Sequence, residues 1–255
     1  MKTSRMQEAL SKGKTVYGIN SMWPSGGIIE AIGGAWDFIW IDGQHGRHDY
    51  QSLTDCVRAC EIVNTSALIR VPGQSYEHIG LALDLAAAGV IVPMVDNVEQ
   101  AKQVIASAKF APLGKRSFGG RRIIDLYSRD YVHEANERQM LLCQVETQEG
   151  VKNAEAIAAL EGVDCLFYGP DDMKVSLGLP MTTPTHTGKL GEWGEHVAKA
   201  ANDAGKFALV PATNPDTFRW AVDAGFRAIV LGGDKGFAIL GSQSAMAIAE
   251  EHGPK

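Results

Sequence analysis

The chain has 255 residues, of which 45% are hydrophobic and 21% are charged, and its formal net charge is −6 at pH 7. This composition is typical of a globular protein rather than a disordered one, and the acidic balance argues against nucleic acid as a partner. No apolar run reaches the length of a membrane span and the first residues lack the apolar core of a signal peptide, so we expect a cytoplasmic protein with no membrane partner.

Eight short apolar runs predict β-strands along the whole chain. Most of them are continuously apolar and rich in Val and Ile, which is typical of parallel strands buried on both faces. In chain order, the runs cover residues 15–22, 38–42, 67–71, 90–95, 141–146, 164–168, 207–211 and 228–231.

Helical patterns separate these runs, because apolar residues recur there three or four positions apart. A short amphipathic helix is predicted at the N-terminus, and the last helix is rich in Ala, Ile and Leu. After the N-terminal helix, the predicted helices cover residues 52–63, 76–88, 97–108, 150–160, 192–204, 215–224 and, for the last one, 236–252. Long connections remain at 96–140 and 169–206, and such loops usually shape a substrate site or a subunit contact.

The alternation of strands and helices predicts a single α/β domain over residues 1–255. Eight units favour a closed (β/α)8 TIM barrel over an open doubly wound sheet, and no GxGxxG motif supports a dinucleotide fold. The cysteines contain no CxxC pair, so we expect buried thiols rather than a disulfide or a zinc site. They are Cys56, Cys60, Cys143 and Cys165.

Two acidic residues lie at the C-terminal ends of neighbouring predicted strands, where a barrel of this kind builds its active site. Glu146 ends the fifth run and Asp172 follows the sixth. Two carboxylates without a nearby cysteine suit a hard divalent cation, which prefers oxygen ligands. The alternative is a pair of solvated loop acids or helix caps.

Two basic residues are associated with the second and third runs. His45 follows the second run in IDGQHGRHDY, and a histidine can exchange protons near neutral pH, as proton abstraction next to a carbonyl requires. Its alternative is a hydrogen-bonded loop histidine. Arg70 interrupts the apolar run ALIRVPG, where a buried guanidinium requires anions or several acceptors.

Two further polar residues are candidates for supporting roles. Gln144 precedes Glu146 by two positions and shares its face of the strand, so its amide can contact whatever the carboxylate binds. Asp84 interrupts the apolar helix GLALDLAAAG. It either orients His45 or lies on the solvated side of the helix, and the periodicity alone favours the solvated side.

Five motifs together make the chain similar to one family over nearly its whole length: FIWIDGQHGRHDY, ALIRVPG, LDLAAAGVIVPMVDNVEQA, CQVETQEGVKN and GPDDMKVSLG. The chain resembles the HpcH/HpaI aldolases, the metal-dependent class II pyruvate aldolases of the phosphoenolpyruvate/pyruvate barrel superfamily. The resemblance implies reversible aldol chemistry through a metal-stabilised enolate. A 2-oxo acid, pyruvate or hydroxypyruvate, and an aldehyde would combine to give a 4-hydroxy-2-oxo acid.

The resemblance also implies a role for each candidate residue. His45 would be the base, Arg70 would stabilise the enolate, and Asp84 would be the acidic partner of the histidine. The 2-oxo acid would be bound by the Gln144 side chain and by the backbone of Asp171 and Asp172. Glu146 and Asp172 would hold the divalent metal ion, Mg²⁺ or Mn²⁺, with Co²⁺ or Zn²⁺ as alternatives.

Family members are commonly hexamers, built as a dimer of trimers, so the resemblance implies a homo-hexamer in which the terminal helix at 236–252 crosses to a neighbour. The chain departs from the family pattern at Gln44, where a glutamate is frequent, and at Asp171, where a small residue is common. These departures leave the identity of the aldehyde open. The alternative functions are an oxaloacetate-type decarboxylase or other carbon–carbon lyase at the same site, and a catalytically silent barrel.

Overall fold

All eight predicted strands form, and they close into a parallel barrel in which each strand pairs with the next and β8 returns to β1. The computed structural model describes residues 1–253. The predicted (β/α)8 architecture is therefore confirmed. The strands are β1 (Val16–Ser21), β2 (Phe38–Asp42), β3 (Ser66–Arg70), β4 (Gly89–Val92), β5 (Met140–Val145), β6 (Cys165–Tyr168), β7 (Phe207–Pro211) and β8 (Ala228–Gly233).

Thirteen α-helices lie within the described residues, and most of them surround the barrel and cover the outward faces of the strands. They are α1 (Arg5–Ser11), α2 (Gly26–Ile32), α3 (Tyr50–Ile62), α4 (Tyr76–Asp84), α5 (Val98–Ala108), α6 (Arg121–Tyr127), α7 (Val132–Arg138), α8 (Gln148–Lys152), α9 (Ala154–Ala158), α10 (Pro170–Ser176), α11 (Gly188–Asp203), α12 (Pro215–Asp223) and α13 (Asp234–His252). No helix within residues 1–253 is long and apolar enough to cross a membrane.

The interior of the barrel is filled by alternate residues of the strands, as the two-residue period of a strand requires. On β2, Phe38 and Trp40 belong to this inner cluster, whereas Ile39 and Ile41 pack against the helices. A Cβ on Gly18 of β1 would lie 2.5 Å from the Phe38 ring, so glycine makes room for this ring. The interior is a packed core rather than a channel.

Helix α1 closes the N-terminal end of the barrel. Met6 of this helix is fully buried and belongs to the inner cluster. Its backbone N–H donates to Ser66 Oγ at the start of β3, over 2.9 Å. The opposite, C-terminal end is therefore the end available for a binding site.

The structure differs from the sequence-based helices in four places. The short helices α2, α6, α7 and α10 were not predicted, with α6 and α7 in one connection. The segment 150–160, predicted as one helix, forms α8 and α9 with a break at Asn153. Helices α6 and α7 lie in the long connection before β5, around a small separate core of Phe110, Ile123, Tyr131 and Ala135. The four cysteines are free and buried, as predicted.

Candidate active site

A buried ion pair lies at the C-terminal end of β2 and β3. Arg70 donates from Nε to Asp42 Oδ1 over 2.9 Å and from Nη2 to Asp42 Oδ2 over 2.5 Å. Only 6% of Arg70 and 1% of Asp42 are exposed. The guanidinium also lies over the Trp40 ring, 4.6 Å from its centroid. Arg70 is thus held in one orientation, in which its Nε and Nη2 bind Asp42 and its Nη1 does not.

Asp42 also fixes the loop that carries His45. Its Oδ1 accepts from the backbone N–H of Gln44 over 3.1 Å and from that of His45 over 3.2 Å. Burial raises the pKa of Asp42, but the hydrogen bonds and the charge of Arg70 outweigh burial, so the pKa lies below its ordinary value. One carboxylate therefore positions both the candidate arginine and the loop of the candidate base, whose side chain is exposed.

Asp42 is a site residue that is absent from the sequence-based prediction. It ends a predicted strand, and all five residues of β2 are buried, so its ionised carboxylate requires a partner. An acid inside the apolar run FIWID is the signal that could have identified Asp42, as an arginine inside ALIRVPG identifies Arg70. His48, in contrast, makes a structural contact: its Nε2 lies 3.1 Å from Ser21 O, and burial lowers the pKa of its imidazole.

Asp84 lies at the opposite end of the barrel from His45. It ends α4, which runs back from the C-terminal end of the barrel, and its Oδ1 accepts from Arg116 Nη2 over 2.8 Å. Arg116 Nη1 donates to Gln139 Oε1 over 2.7 Å, just before β5 begins. No hydrogen bond joins Asp84 to His45 within the described chain. A contact between these two side chains would require Asp84 of a second copy.

The candidate metal ligand Glu146 is buried directly after β5, with 2% of its surface exposed. Its Oε1 accepts from the backbone N–H of Met94 over 2.9 Å, and its Oε2 accepts from Gln144 Nε2. Gln144 Oε1 is buried and has no hydrogen-bond partner within residues 1–253. A Cβ on Gly169 would lie 2.8 Å from Glu146 Cβ, so glycine after β6 leaves the space that the glutamate occupies.

The second candidate ligand, Asp172, lies in the first turn of α10 beside Glu146. Burial and the negative charge of Asp172 raise the pKa of Glu146 to about 7, while the positive charge of Arg70 acts in the opposite direction. Glu146, Asp172 and Arg70 therefore lie close enough for their charges to interact. Asp171, like Asp172, is exposed, and its carboxylate accepts from Lys174 Nζ over 3.0 Å.

The donor set of this pair fits a divalent cation. A cation would relieve the burial cost of the Glu146 carboxylate and its repulsion from Asp172, and Mg²⁺ commonly takes one or two carboxylates while keeping several waters. Within residues 1–253 there is no cluster of three or more His, Cys, Asp or Glu side chains that could hold a metal ion. Glu146 and Asp172 are the two carboxylates at this end of the barrel that could hold an ion together.

Comparison with known proteins identifies the family. A sequence model described as HpcH/HpaI aldolase/citrate lyase matches residues 28–239. The chain belongs to this family. Members share the fold seen here: an HpcH/HpaI aldolase/citrate lyase family protein from Burkholderia cenocepacia J2315 superposes with a TM-score of 0.87 at 27% identity, over 96% of this chain and 98% of that chain. Macrophomate synthase superposes with a TM-score of 0.83 at 27% identity, over 98% and 90%.

Curated relatives of this HpcH/HpaI family member are named aldolases. A hydroxypyruvate/pyruvate aldolase of Roseobacter denitrificans is 32% identical over 89% of this chain and 90% of the relative. A 4-hydroxy-2-oxovalerate aldolase of Novosphingobium aromaticivorans is 40% identical, but that match spans 58% of this chain and 57% of the relative. Family membership and these relatives make the chain an enzyme of the carbon–carbon lyase class.

Proposed function

We propose that the protein catalyses the reversible addition of a 2-oxo acid, pyruvate or hydroxypyruvate, to an aldehyde, which gives a 4-hydroxy-2-oxo acid. The observation that carries this proposal is the grouping of Glu146 and Asp172 with a buried arginine held by Asp42. Stabilisation of an enolate requires positive charge next to the negative charge that develops on its oxygen. A cation held by two acids and a fixed guanidinium would both supply that charge. The curated relatives support the same reaction class.

Glu146 and Asp172 would hold a divalent ion, with Mg²⁺ or Mn²⁺ expected and Co²⁺ or Zn²⁺ as alternatives. When bound, such an ion acts as a Lewis acid and acidifies the hydrogens next to the keto group. The Gln144 amide and the backbone N–H groups of Asp171 and Asp172 would orient the 2-oxo acid. The Gln144 amide lies beside the proposed cation site, because its Nε2 donates to Glu146. Its Oε1 has no hydrogen-bond partner within the described chain.

His45 would remove a proton from C3 of the 2-oxo acid, directly or through a water molecule. Arg70 would then stabilise the negative charge on the enolate oxygen from Nη1, the nitrogen that Asp42 leaves free. The enolate carbon attacks the aldehyde, and the new alkoxide takes up a proton. The roles of His45 and Arg70 carry over from the family resemblance and agree with the exposure of the first and the fixation of the second.

Proton NMR of pyruvate and of hydroxypyruvate in D₂O, with Mg²⁺ and then after EDTA, tests the proposal. We expect metal-dependent loss of the C3 proton signal with the wild type. His45→Ala should abolish the exchange, whereas His133→Ala, which changes an exposed histidine on α7, should leave it intact. Absence of exchange with both acids would contradict the proposal and favour a silent barrel. Release of CO₂ from oxaloacetate without aldehyde addition would favour a decarboxylase.

We further propose that the protein assembles as a homo-hexamer through α13. This helix begins at the end of β8, and its residues from 238 onward are exposed. They include the large apolar side chains of Ile239, Leu240, Met246 and Ile248, which are 48–64% exposed. Exposed apolar surface on this scale is typical of a subunit contact. Light scattering after size exclusion should give six chains for the wild type and fewer for Leu240→Asp; a monomeric wild type would contradict the proposal.

A further inference from the structure

The turn after β4 contains a residue in an unfavourable backbone conformation. Met94 has a φ of +57°, and 44% of its surface is exposed. The left-handed region favours glycine, because a Cβ there crowds the following carbonyl oxygen. Such conformations persist only where the surroundings hold them, and they concentrate at functional sites. Contacts of the Met94 backbone rather than its side chain must therefore maintain this turn.

Two consecutive peptide units of the turn are held from both sides. On one side, the amide of Gln74 donates from Nε2 to Pro93 O over 3.3 Å and to Met94 O over 2.5 Å. On the other side, Met94 N–H donates to Glu146 Oε1 over 2.9 Å and Val95 N–H donates to Gln144 O over 3.0 Å.

This arrangement couples Gln74 to the carboxylate that the proposed function assigns to the cation. Pro93 O and Met94 N belong to the same peptide unit, so a rotation of that unit would break the Gln74 bond and the Glu146 bond together. The next unit, with Met94 O and Val95 N, is fixed in the same way by Gln74 and by β5. A single side-chain amide from the loop after β3 therefore controls two N–H donors that face β5.

We propose that Gln74 is a positioning residue for the cation site: it holds Met94 in the left-handed conformation, and the Met94 N–H in turn fixes the Glu146 carboxylate. This inference rests on the proposed function in one respect, namely that Glu146 binds the ion. Outer residues that orient a metal ligand typically contribute about 10- to 100-fold to metal affinity. Gln74 itself neither binds the ion nor touches the substrate.

The test is a titration of the full-length protein with Mn²⁺ in the absence of substrate, with free Mn²⁺ followed by electron paramagnetic resonance. Gln74→Met keeps the length of the side chain and removes the donor, and it should weaken Mn²⁺ binding about tenfold. The matched control is Gln51→Met, which changes an exposed glutamine on α3 whose amide donates to Asp55 Oδ1 over 3.3 Å. Its Mn²⁺ affinity should equal that of the wild type.

A second variant separates positioning from a general loss of structure. Glycine adopts the left-handed conformation without help, so Met94→Gly combined with Gln74→Met should recover most of the lost Mn²⁺ affinity. Equal Mn²⁺ affinity for Gln74→Met and the wild type would overturn the proposal, as would a double variant no better than Gln74→Met. Glu146→Gln separates a failure of the cation site from a failure of the positioning role. Unchanged Mn²⁺ binding in this variant would overturn the cation site itself, and with it the positioning role of Gln74.

Discussion

Substitution of Asp42 provides a quantitative test of the buried pair. Asp42→Ala removes the partner of two Arg70 hydrogen bonds and two backbone N–H groups, and it leaves a guanidinium that is 6% exposed without a counter-charge. Removal of one partner of a buried ion pair costs roughly 3–5 kcal/mol. At about 2–4 °C per kcal/mol for a domain of this size, the melting temperature should fall by roughly 6–20 °C.

The assay is thermal unfolding at pH 7 with the pyruvate exchange rate measured on the same samples. Asp42→Asn keeps an acceptor for the loop and should lie between Asp42→Ala and the wild type in stability. Both variants should lose most exchange activity, because Arg70 no longer has its carboxylate partner in either of them. Asp55→Asn serves as control, since Asp55 is half-exposed and its 3.6 Å contact with Arg58 is a surface pair.

Acidification supplies an independent check. The pKa of Asp42 lies below its ordinary value of 3.8, so the folded state binds the proton more weakly than the unfolded chain. Its stabilisation is therefore present above pH 3.8 and is lost as the pH falls towards the folded pKa. The stability difference between the wild type and Asp42→Asn should shrink in this acidic range. A melting temperature for Asp42→Ala within about 2 °C of the wild type at pH 7 would refute the reasoning.

Two further predictions concern space and buried charge. Gly169→Ala places a methyl group 2.8 Å from Glu146 Cβ and should weaken Mn²⁺ binding about tenfold. The control is Gly80→Ala, whose methyl group would have no atom within 4 Å and should leave Mn²⁺ binding unchanged. Equal Mn²⁺ affinity in the two variants would contradict the prediction. Lys109→Met removes the buried ammonium that donates to Asp164 Oδ2 over 3.0 Å and to the backbone carbonyls of Asn136 and Gln139. Because the Asp164 side chain is partly exposed, urea denaturation should show a loss of roughly 1–3 kcal/mol. Exchange activity per folded molecule should stay constant; a selective loss of activity would show that this pair acts on the site.

The strands could be predicted because parallel strands of a barrel are buried on both faces and therefore form continuous apolar runs. Helices α2, α6, α7 and α10 could not, since each has seven residues and none contains enough turns for a helical period to be recognised. They depend on local contacts instead. In α2, for example, the Ser25 side chain accepts from Ile28 N–H at the N-cap.

The part of the site that is formed by residues at the ends of strands could be predicted from the sequence. Arg70, Gln144, Glu146 and Asp172 follow from the rule that the C-terminal ends of barrel strands meet on one face. Asp84 was grouped with His45 through the family resemblance, but within one chain a helix that follows a strand returns to the opposite end of the barrel. The Met94 turn gives no signal in the sequence, because left-handed backbone at a methionine depends on contacts that form only in the folded chain.

The seam of the barrel has a consequence for synthesis of the protein. Val16 of β1 pairs with Ala228 of β8, so β1 leaves the ribosome well before β8 and lacks one of its neighbours until β8 has been made. Pairing between such distant segments forms slowly, and an unpaired strand edge readily adds a strand from another chain. A truncation that removes β8 would therefore expose an edge of β1 as well, so that damage near the C-terminus creates an aggregation-prone surface at the N-terminus.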